Sequence, residues 1–185
     1  MRKRFSEGYL GLKLYPTTDG YLISSKDVYP VFEEAQSLGW PIVIHLGITL
    51  EYESDLRFAN PIELHTVAKD FPNLSFVIPH FGAGFFRELL FLGYHINNIF
   101  VDTSGLNRWR SYVPYELSLE QVFKKTVEVF GAEKIIYGTD SRFCHIGYRD
   151  NVLGEQFEIL RNLNLSDAEL SLIFGQNMLQ LIGKA

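Results

Sequence analysis

Two histidines and an aspartate close short apolar runs in this chain. PIVIH ends on His45, LSFVIPH on His80 and KIIYGTD on Asp140. Two imidazoles and a carboxylate are the kind of donor set that holds a catalytic zinc while leaving a position open for water. The same groups move protons near neutral pH, the imidazole as acid or base and the carboxylate as acceptor. A fourth run, NIFVDTSG, brings Asp102, Thr103 and Ser104 to an equivalent place. An imidazole or carboxylate at the end of a buried segment is costly unless it is hydrogen-bonded, paired or metal-bound. The recurrence of such residues points to one chemical face.

The runs themselves have the character of buried parallel strands, which are nearly continuous in Val, Ile, Leu and Phe and place ligands at their carboxyl ends. Five strand-then-helix units can be laid out. Strands are expected at about Tyr9–Tyr15, Ile42–His45, Leu74–Ile78, Ile99–Asp102 and Lys134–Tyr137. Their starts recur every 24 to 36 residues or so, the size of a β-α-β repeat. Between them, Lys26–Leu38 carries Val28, Val31, Phe32, Ala35 and Leu38 on one helical face, with Ser25 as N-cap and Gly39 as stop. Asn60-Pro61 starts the next helix. Gly82-Ala83-Gly84 opens a helix running to about His95, and Ser118 with Gln121 forms a capping box. After Asp140 the chain is predicted helical over about 150–163, 167–174 and 176–182, with Ser166 and Glu169 capping the second. The fold class is therefore α/β, a single domain over residues 1–185. Its longest irregular stretches, Leu46–Ala59 and Gly105–Leu117, both follow strand ends, where α/β enzymes carry substrate contacts.

Other chemistry is less well supported. His65 lies within a helix, His95 near a helix end and His145 in a loop, so all three read as ordinary histidines. Lys13, in the first strand, is a candidate partner for a substrate carboxylate or a modified metal-bridging lysine. Asp102, Thr103, Ser104 and Arg142 are further candidate substrate contacts. Gly82-Ala83-Gly84 between a strand and a helix invites a dinucleotide reading, but Arg87 stands where the third glycine belongs. No G-x-S-x-G elbow or P-loop occurs.

Composition narrows the class. Hydrophobic residues make up 46% of the 185, enough for a sizeable core, and the net charge of −5 with no basic stripe argues against nucleic acid. The single cysteine, Cys144, cannot form a disulfide within the chain. No apolar run approaches the roughly 18–20 residues of a membrane span, and the charged start MRKRFSEGYLGLKLYP lacks a following apolar signal region. A soluble, cytoplasmic enzyme or binding domain is expected.

Taken in order, GYLGLKLYP, LGWPIVIHLG, FPNLSFVIPHFGAG, NIFVDTSG, AEKIIYGTDSRF and the closing GQNMLQLIG resemble the amidohydrolase-related family of metal-dependent TIM barrels, which includes aminocarboxymuconate-semialdehyde decarboxylase and related aromatic-acid decarboxylases and hydrolases. The resemblance implies a TIM-type barrel of which this chain supplies strands four to eight and the C-terminal helices. It implies His45 and Asp140 as metal ligands, with Asp140 also accepting a proton, and His80 as the catalytic histidine or the ligand of a second metal. A divalent metal, zinc first and manganese as the alternative, would be the cofactor, and a small carboxylated or cyclic metabolite the substrate. The family also opens with a His-x-His pair on barrel strand one, and this sequence has no such pair. A full barrel needs eight units, and five are visible. Half of the metal site, or the metal altogether, is then absent from this chain. A fragment, a trimmed or degenerate non-catalytic barrel used for binding or oligomerisation, and a barrel completed by a partner are the competing expectations. Open sheet edges favour a homo-oligomer.

Overall fold

A computed structural model describes residues 1–141 and 147–184. Its centre is a fully parallel sheet of β1 (Leu12–Leu14), β2 (Ile42–Ile44), β3 (Phe76–Ile78), β4 (Ile99–Asp102) and β5 (Ile135–Ile136), in that spatial order. The register sets Lys13 beside Val43, Val77 beside Phe100 and Asp102 beside Ile136. Adjacent parallel strands require a long crossover. Before and just after β1 lie two short helices, α1 (Arg2–Ser6) and α2 (Pro16–Asp19). The crossovers contain α3 (Tyr29–Leu38), α4 (Leu64–Asp70), α5 (Phe86–His95) and α6 (Leu119–Phe130), and α7 (Asp150–Asn162), α8 (Asp167–Ser171) and α9 (Asn177–Leu181) follow β5.

Strand alternation sorts the side chains. Ile42, Ile44, Phe76, Ile78, Ile99, Val101 and Ile135 face the helices and join the main core with Phe32, Leu64, Leu89 and Phe123. On the opposite face Val77, Phe100 and Ile136 form a smaller cluster, against which Val43, Met178 and Leu181 pack. The termini of the helices are where local sequence decided matters. Ser118 and Gln121 make both bonds of a capping box at α6, and Ser166 and Glu169 do the same at α8. Gly39 ends α3 with φ 65°, a left-handed backbone that glycine adopts at little cost. Asn98, just before β4, donates from Nδ2 to the carbonyls of Ala68, Phe71 and Leu74 at 3.1, 2.9 and 2.8 Å. It thereby ties the end of α4 to the entry of β3.

Several elements differ from expectation. Pairing of the first strand starts at Leu12 rather than Tyr9. Gly11 lies against Pro41, whose missing N–H cannot extend the ladder, and Leu12 N donates to the Pro41 carbonyl at 3.1 Å. The last two helices are shorter than predicted because the turn Leu172–Gln176 widens between them. There the Ile173 carbonyl accepts from Tyr137 N at 2.9 Å, so it serves the sheet side. The charged start folds into α1, where Phe5 approaches the Trp40 ring at 6.2 Å and Arg2 pairs with Glu34.

Candidate active site

A cavity of about 410 Å³ opens at the carboxyl ends of the strands, and His45, His80, Asp140 and Lys13 all line it. The structure brings these four residues together around one cavity. The His45 and His80 rings lie 5.3 Å apart, centroid to centroid, at 60°. Gly105 sits against both His80 and Asp140: a Cβ placed on it would be 3.3 Å from His80 Nδ1 and 3.7 Å from Asp140 Cβ. His80 and Asp140 also hold left-handed backbones, φ 58° and 55°. For such residues this is strained by about 1 kcal/mol or more, and strain of this kind collects at functional sites.

Each side chain has one partner that fixes it. A carbonyl can only accept, so the Ser104 oxygen 2.9 Å from His80 Nδ1 places the proton on Nδ1 and leaves Nε2 with its lone pair. The Ser104 hydroxyl is 3.0 Å from the same nitrogen. His45 Nε2 faces the Ile48 carbonyl at 3.3 Å, which leaves Nδ1 as the acceptor. Burial, and next the neighbouring His80, push the His45 pKa down to about 4, so the ring is neutral at pH 7. It is stacked on Tyr15 at 6.0 Å. Asp140 Oδ2 accepts from Arg149 at 3.0 Å, and among the described residues no bond is made to Oδ1. Lys13 is exposed, its ammonium 5.2 Å from the Tyr15 ring centroid.

Of the other expected contacts, Asp102 turns inward and accepts from Ser104 N at 2.6 Å. Thr103 is fully buried and gives its hydroxyl to Gln156 at 2.6 Å. Asp102, Thr103 and Ser104 support the cavity without lining it. Arg142, Cys144 and His145 lie outside the described residues. His65 and His95 meet each other, Nε2 to Nδ1 at 2.8 Å, on α4 and α5, and neither lines the cavity. The glycine-rich segment has a packing role: Gly82 and Ala83 abut Gly47, and the Ala83 carbonyl accepts from Ile48 N at 2.8 Å.

Sequence reasoning passed over several cavity residues, among them Tyr15, Arg108, Trp109, Tyr112 and Arg149. Trp109 and its neighbours lie in the long loop after β4, whose position was a signal. Arg149 could have been suspected only from its nearness in sequence to Asp140.

The donor atoms at hand, His45 Nδ1, His80 Nε2 and an Asp140 oxygen, suit a divalent cation in type and in protonation. Among the described residues, however, no three His, Cys, Asp or Glu side chains stand close enough together to hold one. The donor chemistry fits a metal, and the described set is incomplete for binding it.

A parallel sheet with a cavity at its carboxyl ends, lined by strand-end imidazoles and an aspartate, is the arrangement of the metal-dependent TIM-barrel hydrolases. The amidohydrolase family model matches residues 1–183, and the chain belongs to that family. No curated protein matches it. Among solved structures, an uncharacterized TIM-barrel protein from Bordetella bronchiseptica is 20% identical with a TM-score of 0.74, matched over 100% of this chain and 60% of that one. An amidohydrolase from Burkholderia multivorans with bound zinc is 16% identical over 98% and 68% of the two chains, TM-score 0.70. The 5-carboxyvanillate decarboxylase of Sphingomonas paucimobilis is 15% identical over 95% and 59%, TM-score 0.65. These likenesses establish the fold, a partial TIM barrel, in a chain spanning about 60% of the length of the Bordetella and Sphingomonas proteins. No helix among the described residues is long and apolar enough to cross a membrane.

Proposed function

We propose that this chain carries part of the active site of a hydrolase or decarboxylase acting on a small carboxylated or cyclic molecule. The observation that carries the reading is the convergence of His45, His80 and Asp140 on one cavity, each anchored by a partner that, among the described residues, leaves a second ring nitrogen or carboxylate oxygen for a ligand. His45 and Asp140 would hold a divalent cation, zinc or manganese, together with donors from outside the described residues. When bound, such an ion polarises a substrate oxygen or lowers the pKa of a water toward about 7.

The chain's own residues supply the rest. His80, with its proton fixed on Nδ1, offers Nε2 to a substrate proton. Asp140 can take a proton on the oxygen that Arg149 does not use. The cations Lys13 and Arg108 suit a substrate carboxylate, and Tyr15 and Trp109 offer ring faces to a cyclic body. The outer edge of β1, which pairs only with β2 among the described residues, supports association with further strands, which sizing in solution would test.

The test is to strip the protein with EDTA and titrate zinc or manganese by calorimetry. CO2 release and hydrolysis are then followed over a panel of small aromatic and lactone carboxylates. Tight binding that weakens at least tenfold in both His45→Gln and Asp140→Asn, with turnover lost in His80→Asn, is the expected result. Metal affinity indifferent to both substitutions sinks the ligand assignment. Turnover that survives in His80→Asn sinks the role of His80.

A further inference from the structure

Gln156 is a polar side chain that the chemistry above does not use, yet it is 1% exposed in the middle of α7. A buried amide is costly unless both ends are bonded. Here both ends address one residue. Its Oε1 accepts from the Thr103 hydroxyl at 2.6 Å and its Nε2 donates to the Thr103 carbonyl at 2.9 Å. Thr103 is itself fully buried, and its N donates to the Ile136 carbonyl at 2.9 Å. Asn107 reinforces the same turn, donating to the carbonyls of Thr103 and Gly105 at 3.1 Å each.

The next residue is Ser104, whose carbonyl and hydroxyl both lie on His80 Nδ1. Gly105 then seats the turn against His80 and Asp140. At its other end α7 follows directly on Arg149, the partner of Asp140. One helix thus braces the surroundings of both groups, through Arg149 for the carboxylate and through Gln156 for the imidazole.

We infer that Gln156 is a positioning residue that, through the Thr103–Gly105 turn, holds the Ser104 carbonyl on His80 and so fixes which ring nitrogen carries the proton. Its bearing on turnover rests on His80 being the working imidazole. The inference itself is read on the ring, so failure of the activity reading would not be confused with failure of this one.

The measurement is nitrogen NMR of the metal-free, histidine-labelled protein at one fixed pH above neutrality. In the wild type His80 should show two widely separated ring-nitrogen signals with the proton on Nδ1. Gln156→Leu keeps the volume and removes both bonds, and should draw the two signals toward a common average as the tautomers mix, leaving His65 and His95 unmoved. The double variant Thr103→Val/Gln156→Leu removes both side-chain partners together, which restores packing without an orphaned hydroxyl. Its thermal stability should return toward wild type while the His80 signals stay averaged, a separation that a merely structural role would not produce. Wild-type protein with the proton on Nε2, or either folded variant with wild-type His80 signals, overturns the inference. Failure of both variants to fold also counts against it, since Gln156 would then be serving the fold alone.

Discussion

His45 makes the acid stability of this protein calculable. The perturbation is a fall in pH. In the unfolded chain an imidazole titrates near 6.5, whereas in the fold burial and the neighbouring His80 hold His45 at about 4. A base whose folded pKa is depressed binds its proton more readily when unfolded, so stability falls as pH drops through the window from about 6.5 to about 4 and is unaffected above it. Each unit is worth about 1.4 kcal/mol, so the full loss is roughly 3 kcal/mol, with about 2 kcal/mol of it present by pH 5. The assay is urea denaturation of the EDTA-treated protein between pH 7.5 and 5, with His45→Gln run alongside. The two profiles should run parallel above pH 7 and converge by about 2 kcal/mol at pH 5, because the variant has no proton to gain. Carboxylates add the same slope to both and cancel in the difference. Profiles that stay parallel down to pH 5 would show that His45 is not desolvated in this way, and the argument for a neutral, metal-competent ring would go with it.

Two further outcomes follow from packing. Gly47→Ala should destabilise the protein by roughly 2–5 kcal/mol, combining overpacking with an unfavourable backbone. Gly47 has φ 143°, and an added Cβ would stand 2.7 Å from the Gly82 carbonyl oxygen, a neighbour that cannot rotate away. Thermal melting checks this, and a variant as stable as wild type would mean the loops after β2 and β3 do not approach as described. Asn98→Leu should cost about 2–4 kcal/mol, since the Ala68, Phe71 and Leu74 carbonyls all lose the Asn98 amide at once, with the Phe71 carbonyl keeping the Leu74 N–H at 3.1 Å. Chemical denaturation measures the loss, and a cost below 1 kcal/mol would refute the tie between α4, β3 and β4.

The strands were legible because their signal is local. IVI, FVI, IFV and II are apolar on both faces, as buried parallel strands must be, and the capping boxes at Ser118 and Ser166 reproduce in the structure bond for bond. What escaped the sequence depended on pairs distant along the chain. The first strand loses its outer residues because Pro41, some thirty positions on, cannot donate to it. The closing helices break where the Ile173 carbonyl is claimed by Tyr137. Helical periodicity contains no information about either event.

The site divides along the same line. His45, His80 and Asp140 could be found because a polar residue ending an apolar run is conspicuous. Their partners could not, because two are backbone carbonyls, of Ile48 and Ser104, which any residue type provides. The third, Arg149, is one charge among many. Thr103 shows the opposite failure: its position beside the site suggested substrate contact, while its full burial and its bond to Gln156 assign it to the support. The distinction matters for any engineering of this cavity. Substitutions at Lys13, Arg108 or Tyr112 alter what the cavity meets. Substitutions at Thr103, Asn107 or Gln156 alter the state in which His80 meets it, at a distance from any ligand.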